Sequence, residues 1–291
     1  MRIIALLALT ALSLGHAPAQ DFSKIQIEKV DTGFRFTEGP AWSKQGFLLF
    51  SDVPNNIIQK FVAGEKSSVY RSNSNGANGN NFDSKGNLYS CESRTKRVVR
   101  EDKKGKVEVI ADKFEGKRLN APNDIVIRRD GHIYFTDPAF GDQADVRELD
   151  FYGVYHITPK GEMSLVAKPE GRPNGIVLSP DGKILYVSNS DERNVRAYDV
   201  AKDGATSNER VFASNIDGPP DGMCIDEKGN LYVTANGIVV FAPDGKHLQT
   251  IEFSETPRNC AFGDPDMQSL YVTAYTSLYR VRLDVKGSVQ Y

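Results

Sequence analysis

The sequence of 291 residues is poor in the side chains that often carry hydrolytic or redox chemistry, with three cysteines, four histidines and one tryptophan. It contains neither a G-x-S-x-G turn nor an H-E-x-x-H segment, so a serine esterase of the α/β-hydrolase type and a zinc protease are not expected. An excess of charge is also missing, because 36 basic residues stand against 38 acidic ones and the formal net charge is −2. Nucleic acid is therefore not an expected partner.

The cysteines Cys91, Cys224 and Cys260 cannot all pair within one chain, because their number is odd. Each lies in an apolar stretch typical of a strand, which favours buried small hydrophobic side chains over catalytic thiols. Cys224 and Cys260 fall in neighbouring repeat units, so a bridge between these two stays open. At least one thiol is expected to be free.

Long hydrophobic runs are missing beyond the N-terminus, and none there approaches the roughly 20 residues that a transmembrane helix needs. At the N-terminus a basic residue precedes an apolar run over residues 3–14, and the small residues Ala17-Pro18-Ala19 follow. This pattern predicts a signal peptide over residues 1–19, and hence a periplasmic or secreted protein without a membrane segment after cleavage. Residues 20–291 contain no Pro/Gly/Ser linker and are expected to form a single domain.

One unit is repeated six times in the chain, and in it a short apolar run follows a tight turn, as in SKGNLYSCE, RDGHIYFTD and EKGNLYVTA. The units lie about 44 residues apart on average, which is the spacing of four-stranded propeller blades. Short β-rich runs separated by turn residues fill the intervals, and helical periodicity is absent. We predict an all-β fold, a six-bladed β-propeller with four-stranded antiparallel blades. The turn anchors are Gly46, Gly86, Gly131, Gly182, Gly229 and Gln268.

The last blade of a propeller needs a further strand to cover its exposed edge. The segment from Ile25 to Val30 (IQIEKV) precedes the first unit and has the composition of an outer strand. We predict that this N-terminal strand closes the last blade, beside the run from Leu278 to Leu283.

Each unit also carries an oxygen-bearing side chain eight residues before its turn anchor, or nine in the last unit, and we name this position the slot. Asn and Asp commonly cap turns, but Glu38 is a poor turn former and the residues around the slots are apolar. Propeller symmetry places the slots around the axis, where the inner strands begin. Oxygen donors without His or Cys suit a hard cation such as Ca²⁺, and two carboxylates would neutralise one divalent ion. The slots are Glu38, Asn78, Asn123, Asn174, Asp221 and Asn259.

Four segments, FTEGPAW, LNAPNDIVIRRDGHIYFTDPAFG, RPNGIVLSPDGKILYVSNS and PPDGMCIDEKGNLYVTA, resemble signature segments of the gluconolactonase and regucalcin (senescence marker protein) family. The likeness is greatest to the bacterial gluconolactonases. It implies a six-bladed propeller with one catalytic divalent ion, bound by Glu38, Asn174 and Asp221. Asn123 would lie beside the ion and is a direct ligand in related phosphotriesterases. We therefore predict these four residues as the metal site, with calcium as the cation or else zinc, manganese or magnesium.

The residues that grip the substrate are less clearly marked. In regucalcin an Arg stands two residues before the Asn that Asn123 matches, and here this position is Ala121, so the grip is expected from elsewhere. Arg118 and Asn120 are nearby candidates, and we expect Asn78 and Asn259 to contact substrate or water. The ends of second strands share the face where inner strands begin, which adds Glu92 and Asp137 as candidates.

The longest interval between two units contains the segment from Pro138 to Tyr152, on the same predicted face. Insertions of this length often cover a site. Phe140 and Tyr152 are its predicted rim residues, although loop packing alone would also explain them.

These features predict metal-dependent hydrolysis of a sugar lactone resembling glucono-1,5-lactone, by a monomer or a dimer. The ion would polarise the carbonyl group, and either Asp221 would activate water as general base or the ion would lower the pKa of a bound water. A phosphotriesterase or another lactonase on the same site is the first alternative. The second is an exported propeller that only binds a ligand or partner, and the third is kinship with the strictosidine synthase-like propellers, which lack this ion.

Overall fold

The computed structural model describes residues 22–141 and 146–289, and the predicted signal peptide lies outside these ranges. Within them the chain forms 26 β-strands and one short 3₁₀-helix, Phe22–Lys24. The described part of the chain contains no helix long and apolar enough to cross a membrane. Six sheets have four strands each, and a small two-stranded hairpin pairs Lys113–Phe114 with Lys117–Arg118. The prediction of a six-bladed propeller with four-stranded antiparallel blades is confirmed.

The first three blades follow one another along the chain, and in each the strands are given from the axis outwards. Blade 1 consists of Thr37–Ser43, Phe47–Asp52, Ile57–Phe61 and Ser68–Ser72. Blade 2 consists of Ala77–Phe82, Leu88–Glu92, Arg97–Glu101 and Val107–Ala111. Blade 3 consists of Ile125–Ile127, Ile133–Asp137, Gly153–Ile157 and Met163–Ala167.

The remaining blades have the same order, except that the outer strand of the last one comes from the N-terminus. Blade 4 consists of Pro173–Leu178, Ile184–Asn189, Asn194–Val200 and Thr206–Ala213. Blade 5 consists of Met223–Ile225, Leu231–Thr234, Ile238–Phe241 and His247–Ile251. Blade 6 consists of Pro257–Gly263, Ser269–Ala274, Ser277–Arg282 and Ile27–Thr32.

Closure by the N-terminal strand is confirmed, with bounds two residues later than predicted. Ile27–Thr32 runs antiparallel to Ser277–Arg282, and Ile27 pairs with Val281 in the register. The ammonium group of Lys29 on this strand lies 2.9 Å from a carboxylate oxygen of Glu255, in the connection from blade 5 to blade 6. The pairing joins the two ends of the described chain and covers the outer edge of Ser277–Arg282.

The hydrophobic core lies between the blades rather than in one central layer. Between blades 3 and 4, for example, Val126 and Tyr134 pack against Ile176, Leu185 and Tyr198. Strand runs are therefore apolar on both faces, because each blade is covered by a neighbour on either side. Burial of one such large side chain contributes about 1.5–3 kcal/mol, and the inter-blade clusters hold the ring together.

The turn anchors are the positions where the chain must adopt a left-handed backbone. The five glycine anchors have φ between 69° and 93°, which a residue without a side chain adopts without strain. In blade 6 the left-handed residue is Met267, with φ of 58°, one position before the predicted anchor Gln268. Blade 6 is thus offset by one residue from the others, and this offset matters for the site.

Candidate active site

The inner strands of neighbouring blades contact one another in a closed ring, and the slot residues lie where these strands begin. Five of the six predicted slot residues line one cavity of about 520 Å³ at this end of the axis. The exception is Asn259. The lining residues are Phe36, Glu38, Asn78, Asn123, Phe140, Arg172, Asn174, Ser190, Asp191, Arg193, Pro219, Asp221 and Arg258.

Backbone hydrogen bonds between neighbouring blades fix the slots. The carbonyl oxygen of Asn123 accepts from the amide of Gly79 at 2.7 Å, and that of Asp221 accepts from the amide of Gly175 at 3.2 Å. Hydroxyl groups on second strands reach the next blade in the same way: Ser51 donates to the carbonyl of Asn78 at 2.8 Å. Equivalent bonds run from Thr136 to Asn174 at 2.7 Å and from Ser188 to Asp221 at 2.8 Å.

The glycine that follows most slot residues is required by this close packing. A Cβ atom on Gly175 would overlap the carbonyl oxygen of Asp221, and one on Gly79 would lie 2.6 Å from the carbonyl oxygen of Asn123. Neither glycine has a positive φ, so they are not turn glycines. The NG and DG pairs at the slots therefore mark the approach of two backbones, in contrast to the turn anchors.

Two amide oxygens in the cavity have no hydrogen-bond partner although they are buried. They are Oδ1 of Asn78 and Oδ1 of Asn174. The amide nitrogen of Asn174 donates to the hydroxyl of Ser190 at 3.0 Å, and that hydroxyl donates to the carbonyl of Pro220 at 2.7 Å. Buried acceptors without partners are rare in folded proteins, and a cation is one of the ligands that satisfies them.

Two of the three carboxylates in the cavity, those of Glu38 and Asp221, have raised pKa values. Burial and the nearby Asp221 and Asp124 raise the pKa of Glu38 well above its ordinary value. Burial raises the pKa of Asp221 to about 7, although the Arg258 guanidinium opposes this shift. A divalent cation bound by both carboxylates would oppose both shifts, because its positive charge stabilises the ionised forms.

The donor set fits a hard cation better than a transition metal. The described ranges contain no group of three or more His, Cys, Asp or Glu side chains that could hold a metal. Here the donors would be the carboxylates of Glu38 and Asp221 with the amide oxygens of Asn123 and Asn174, which is an all-oxygen set. Asn78 adds a further oxygen in the same cavity, so the residues present fit Ca²⁺.

Arg258 occupies the slot of blade 6, where the sequence pattern predicted Asn259. Its carbonyl oxygen accepts from the amide of Gly222 at 2.8 Å and from the hydroxyl of Thr234 at 2.8 Å, as the other slot carbonyls do. The guanidinium Nη1 lies 3.7 Å from Oδ2 of Asp221, and its plane covers the ring of Tyr275 at 4.5 Å. The inner strand of blade 6 has a register shift between residues 257 and 259, as the inner strands of blades 1, 2 and 4 have near their slots.

The chain is similar to known proteins in sequence and in fold. Residues 36–276 match the model of the family described as SMP-30/Gluconolactonase/LRE-like region. The chain belongs to this family. A gluconolactonase of Zymomonas mobilis is 34% identical over 293 residues, covering 90% of this chain and 82% of the relative. The crystallised gluconolactonase XC5397 of Xanthomonas campestris has a TM-score of 0.82 and 32% identity, covering 89% of this chain and 90% of its own.

A third relative of this chain is named for another reaction. The diisopropyl-fluorophosphatase of Loligo vulgaris is 30% identical over 214 residues, which are 67% of this chain and 67% of that protein. The proteins similar to this chain are therefore named for more than one hydrolytic reaction.

Three of the predicted substrate residues support the segment that leads to Asn123. Asp137 accepts from the amides of Asn120 and Ala121, both at 2.7 Å, and the side-chain amide of Asn120 donates to the carbonyl of Phe151 at 2.9 Å. Arg118 is exposed and donates to the carbonyl of Thr95 at 3.3 Å. None of the three lines the cavity. Their contact with substrate stays a prediction, and their contacts in the structure are with the chain itself.

Glu92 and Asn259 also lie away from the cavity. Glu92 is fully buried, where Oε2 accepts from Arg97 at 2.7 Å and from Thr95 at 2.9 Å. Asn259 points along the axis beneath the cavity and donates to Asp124 at 3.4 Å. On the predicted rim, Phe140 lines the cavity, whereas the ring of Tyr152 lies against the Arg147 guanidinium at 4.6 Å.

Proposed function

We propose that this protein is a lactonase that hydrolyses a sugar lactone of the gluconolactone type and depends on a divalent cation, with calcium as the first choice. The observation that carries the proposal is the cavity that a buried carboxylate, Glu38, and a half-buried one, Asp221, share with amide oxygens that lack partners. The likeness to gluconolactonases over about nine tenths of the chain supports the reaction.

Glu38, Asn123, Asn174 and Asp221 would hold the cation, and zinc, manganese and magnesium are the other candidates. When bound, the cation would act as a Lewis acid towards the lactone carbonyl group. Asn78 lines the same cavity, its amide oxygen lacks a partner, and it would orient the lactone ring or a water molecule.

Asp221 is the general base in this proposal. Its carboxylate lines the cavity, where it can accept a proton from a water molecule. It takes a proton from the water whose oxygen forms a new bond to the carbonyl carbon, and the ester bond to the ring oxygen then breaks. The proton returns to that ring oxygen, which becomes the hydroxyl of the open-chain acid. Arg258, at 3.7 Å, keeps the carboxylate oriented.

The test is a pH-stat titration of the acid released from glucono-1,5-lactone, with and without a chelator, corrected for uncatalysed opening. We expect Asp221→Asn to lose at least about a hundredfold in kcat, because removal of a general base typically has this effect. Asp199→Asn on the outer face of blade 4 is the matched control and should keep full activity. Unchanged turnover by Asp221→Asn would favour a propeller that only binds its ligand.

A second reaction is phosphotriester hydrolysis at the same site, which the likeness to diisopropyl-fluorophosphatase favours. A polarised P=O group is an electrophile like a polarised carbonyl, so the cavity residues would have the same roles. Side-by-side kcat/KM values for glucono-1,5-lactone and a phosphotriester decide between them. Faster turnover of the phosphotriester would reverse the order of the two proposals.

We also propose that the protein is exported to the periplasm or secreted and acts there as a monomer or a dimer. The support is the signal-peptide pattern over residues 1–19. Mass spectrometry of the mature protein and light scattering test these two points. An N-terminus at Met1 in the exported fraction would contradict cleavage.

A further inference from the structure

Three arginines line the cavity, whereas the position that holds an Arg in regucalcin is Ala121 in this chain. They are Arg172, Arg193 and Arg258. Arg172 is fully engaged: its backbone amide and its Nε both donate to Asp191, at 2.8 Å and 3.0 Å, and its guanidinium covers the ring of Phe140 at 4.8 Å. It forms a rigid part of the wall.

Arg193 and Arg258 have donors to spare. Among residues 22–141 and 146–289, the exposed guanidinium of Arg193 has no hydrogen-bond or ion-pair partner. Arg258 contacts Asp221 through Nη1, but its Nε is buried without a partner. The rings of Phe36 and Tyr275, at 5.4 Å and 4.5 Å, hold the guanidinium of Arg258 in place. Two cationic groups thus face the cavity with unused donors, and the one of Arg258 is also held in place by aromatic rings.

The charge balance of the cavity indicates what these donors bind. The lining has three arginines and three carboxylates, namely Glu38, Asp191 and Asp221. A divalent cation would add two positive charges to this balanced set. A neutral sugar lactone would not neutralise the excess positive charge or pair fully with the guanidinium donors, whereas a lactone with an anionic group would do both.

We infer that the preferred substrate is a sugar lactone that carries an additional anionic group, a carboxylate or a phosphate, which Arg193 and Arg258 bind. The inference rests on the lactonase function proposed above. Guanidinium groups bind carboxylate and phosphate oxygens in a bidentate fashion, so both sources of the anion fit. A cavity of about 520 Å³ lies within the usual range for a ligand the size of a substituted hexose.

The test compares three lactones in the presence of Ca²⁺: glucono-1,5-lactone, its analogue with a carboxylate at C6, and 6-phosphoglucono-1,5-lactone. We expect a KM at least about tenfold lower for one or both anionic lactones than for the neutral one. Arg193→Gln should raise the KM of the anionic lactones about tenfold, with kcat and the neutral KM changed less than about twofold. Comparison of the lactone that carries a carboxylate with the one that carries a phosphate shows which anionic group the cavity prefers.

Arg129→Gln is the matched control, since it removes the same charge at a hairpin turn at the opposite end of the axis. It should leave all three KM values unchanged. Arg258→Lys keeps the charge but loses the bidentate donors of the guanidinium group. This variant should retain part of the preference for anionic lactones. Equal KM values for neutral and anionic lactones, or an equal effect of Arg193→Gln on both, would overturn the inference while lactonase activity itself stood.

A binding measurement separates the inference from the proposed reaction. Calorimetric titration of the Ca²⁺-loaded protein with 6-phosphogluconate, with the C6 dicarboxylate and with gluconate needs no turnover. We expect about tenfold tighter binding of one or both of the acids that carry the extra anionic group, and loss of this difference in Arg193→Gln. If no lactone were hydrolysed, the proposed function would fail, and this difference alone would decide the inference.

Discussion

The side chain of Asn259 donates a hydrogen bond to Oδ2 of Asp124 at 3.4 Å, although the two residues are 135 positions apart in sequence. They stand on opposite blades, each directly after a slot residue, and meet on the axis beneath the cavity. The other four positions of this kind are the glycines Gly39, Gly79, Gly175 and Gly222. Because these four glycines have no side chain, they leave room on the axis for the side chains of Asp124 and Asn259.

The charge of Asp124 contributes to the field at the slots. Burial raises the pKa of Asp124 to about 6, and its negative charge in turn raises the pKa of Glu38 and of Asp221. We predict that Asp124→Asn binds Ca²⁺ about tenfold more weakly, because one negative charge near the cation is lost. Calorimetric titration measures this, with Asp181→Asn at a remote turn as control. Unchanged affinity in Asp124→Asn would show that the axis has no part in cation binding.

The glycines after the slots should be intolerant of alanine. In Gly175→Ala the new Cβ would overlap the carbonyl oxygen of Asp221, and we expect a loss of about 3 kcal/mol in the free energy of unfolding. Gly105→Ala is the control, because it has open space and only its φ of 80° opposes a side chain, at about 1–2 kcal/mol. Urea denaturation of both variants gives the comparison. Equal losses of unfolding free energy in the two variants would mean that the close approach of two backbones at the slots does not exclude a side chain.

The buried histidine pair of blade 3 should make the fold sensitive to acid. Nδ1 of His132 and Nε2 of His156 are 2.7 Å apart, and burial lowers the pKa of His132 and brings that of His156 to about 4. Because an unfolded histidine titrates near about 6.5, the unfolded chain binds more protons between about pH 4 and pH 6.5. The stabilisation is complete above this window and falls as the pH decreases through it.

We therefore predict that the unfolding free energy of the wild type, relative to that of His156→Gln, decreases by about 1–2 kcal/mol from pH 7 to pH 5. The comparison between variants cancels the opposite effect of Asp137, whose pKa burial raises to about 7. His247→Gln, at an exposed histidine, should retain the pH slope of the wild type. Parallel pH profiles for His156→Gln and the wild type would contradict the prediction.

The thiols of Cys224 and Cys260 are 3.1 Å apart between blades 5 and 6, and both are buried. A disulfide between these two cysteines, which the sequence leaves open, therefore has a geometric basis. We predict that an added disulfide, such as oxidised glutathione, oxidises the pair by thiol exchange, so that two hydrogens leave the protein and two glutathione thiols form. A closed loop spanning 36 positions would stabilise the fold by about 3–4 kcal/mol.

Intact mass and thermal unfolding measure the bridge, and the buried Cys91 should stay reduced. Cys260→Ser, which lacks one thiol of the pair, should show no gain in stability. Three alkylatable thiols after oxidation of the wild type would contradict the prediction.

The repeat spacing was enough to predict the blades, the N-terminal closure and five slot residues that share the cavity. The spacing did not predict Arg258. The slot of blade 6 lies one residue before the predicted Asn259, and only the hydrogen bonds from Gly222 and Thr234 reveal this shift. Arg193 was not predicted either. It lies in a loop, and the periodicity of the sequence does not determine in which direction a loop runs.

The ends of the second strands illustrate a different limit. Their face of the propeller was predicted from antiparallel pairing, but Glu92 and Asp137 are saturated by neighbouring donors in the structure. A strand-end carboxylate can bind substrate or hold a loop in place, and the sequence does not distinguish the two uses.

The most direct test of the central claim is calorimetric titration of the metal-free protein with Ca²⁺, with lactone hydrolysis followed in the same samples. The account predicts one cation per chain, loss of binding in Glu38→Gln but not in the exposed Glu65→Gln, and hydrolysis that rises in proportion to the bound cation. Full hydrolysis by a protein that binds no divalent cation, or undiminished binding in Glu38→Gln, would contradict it.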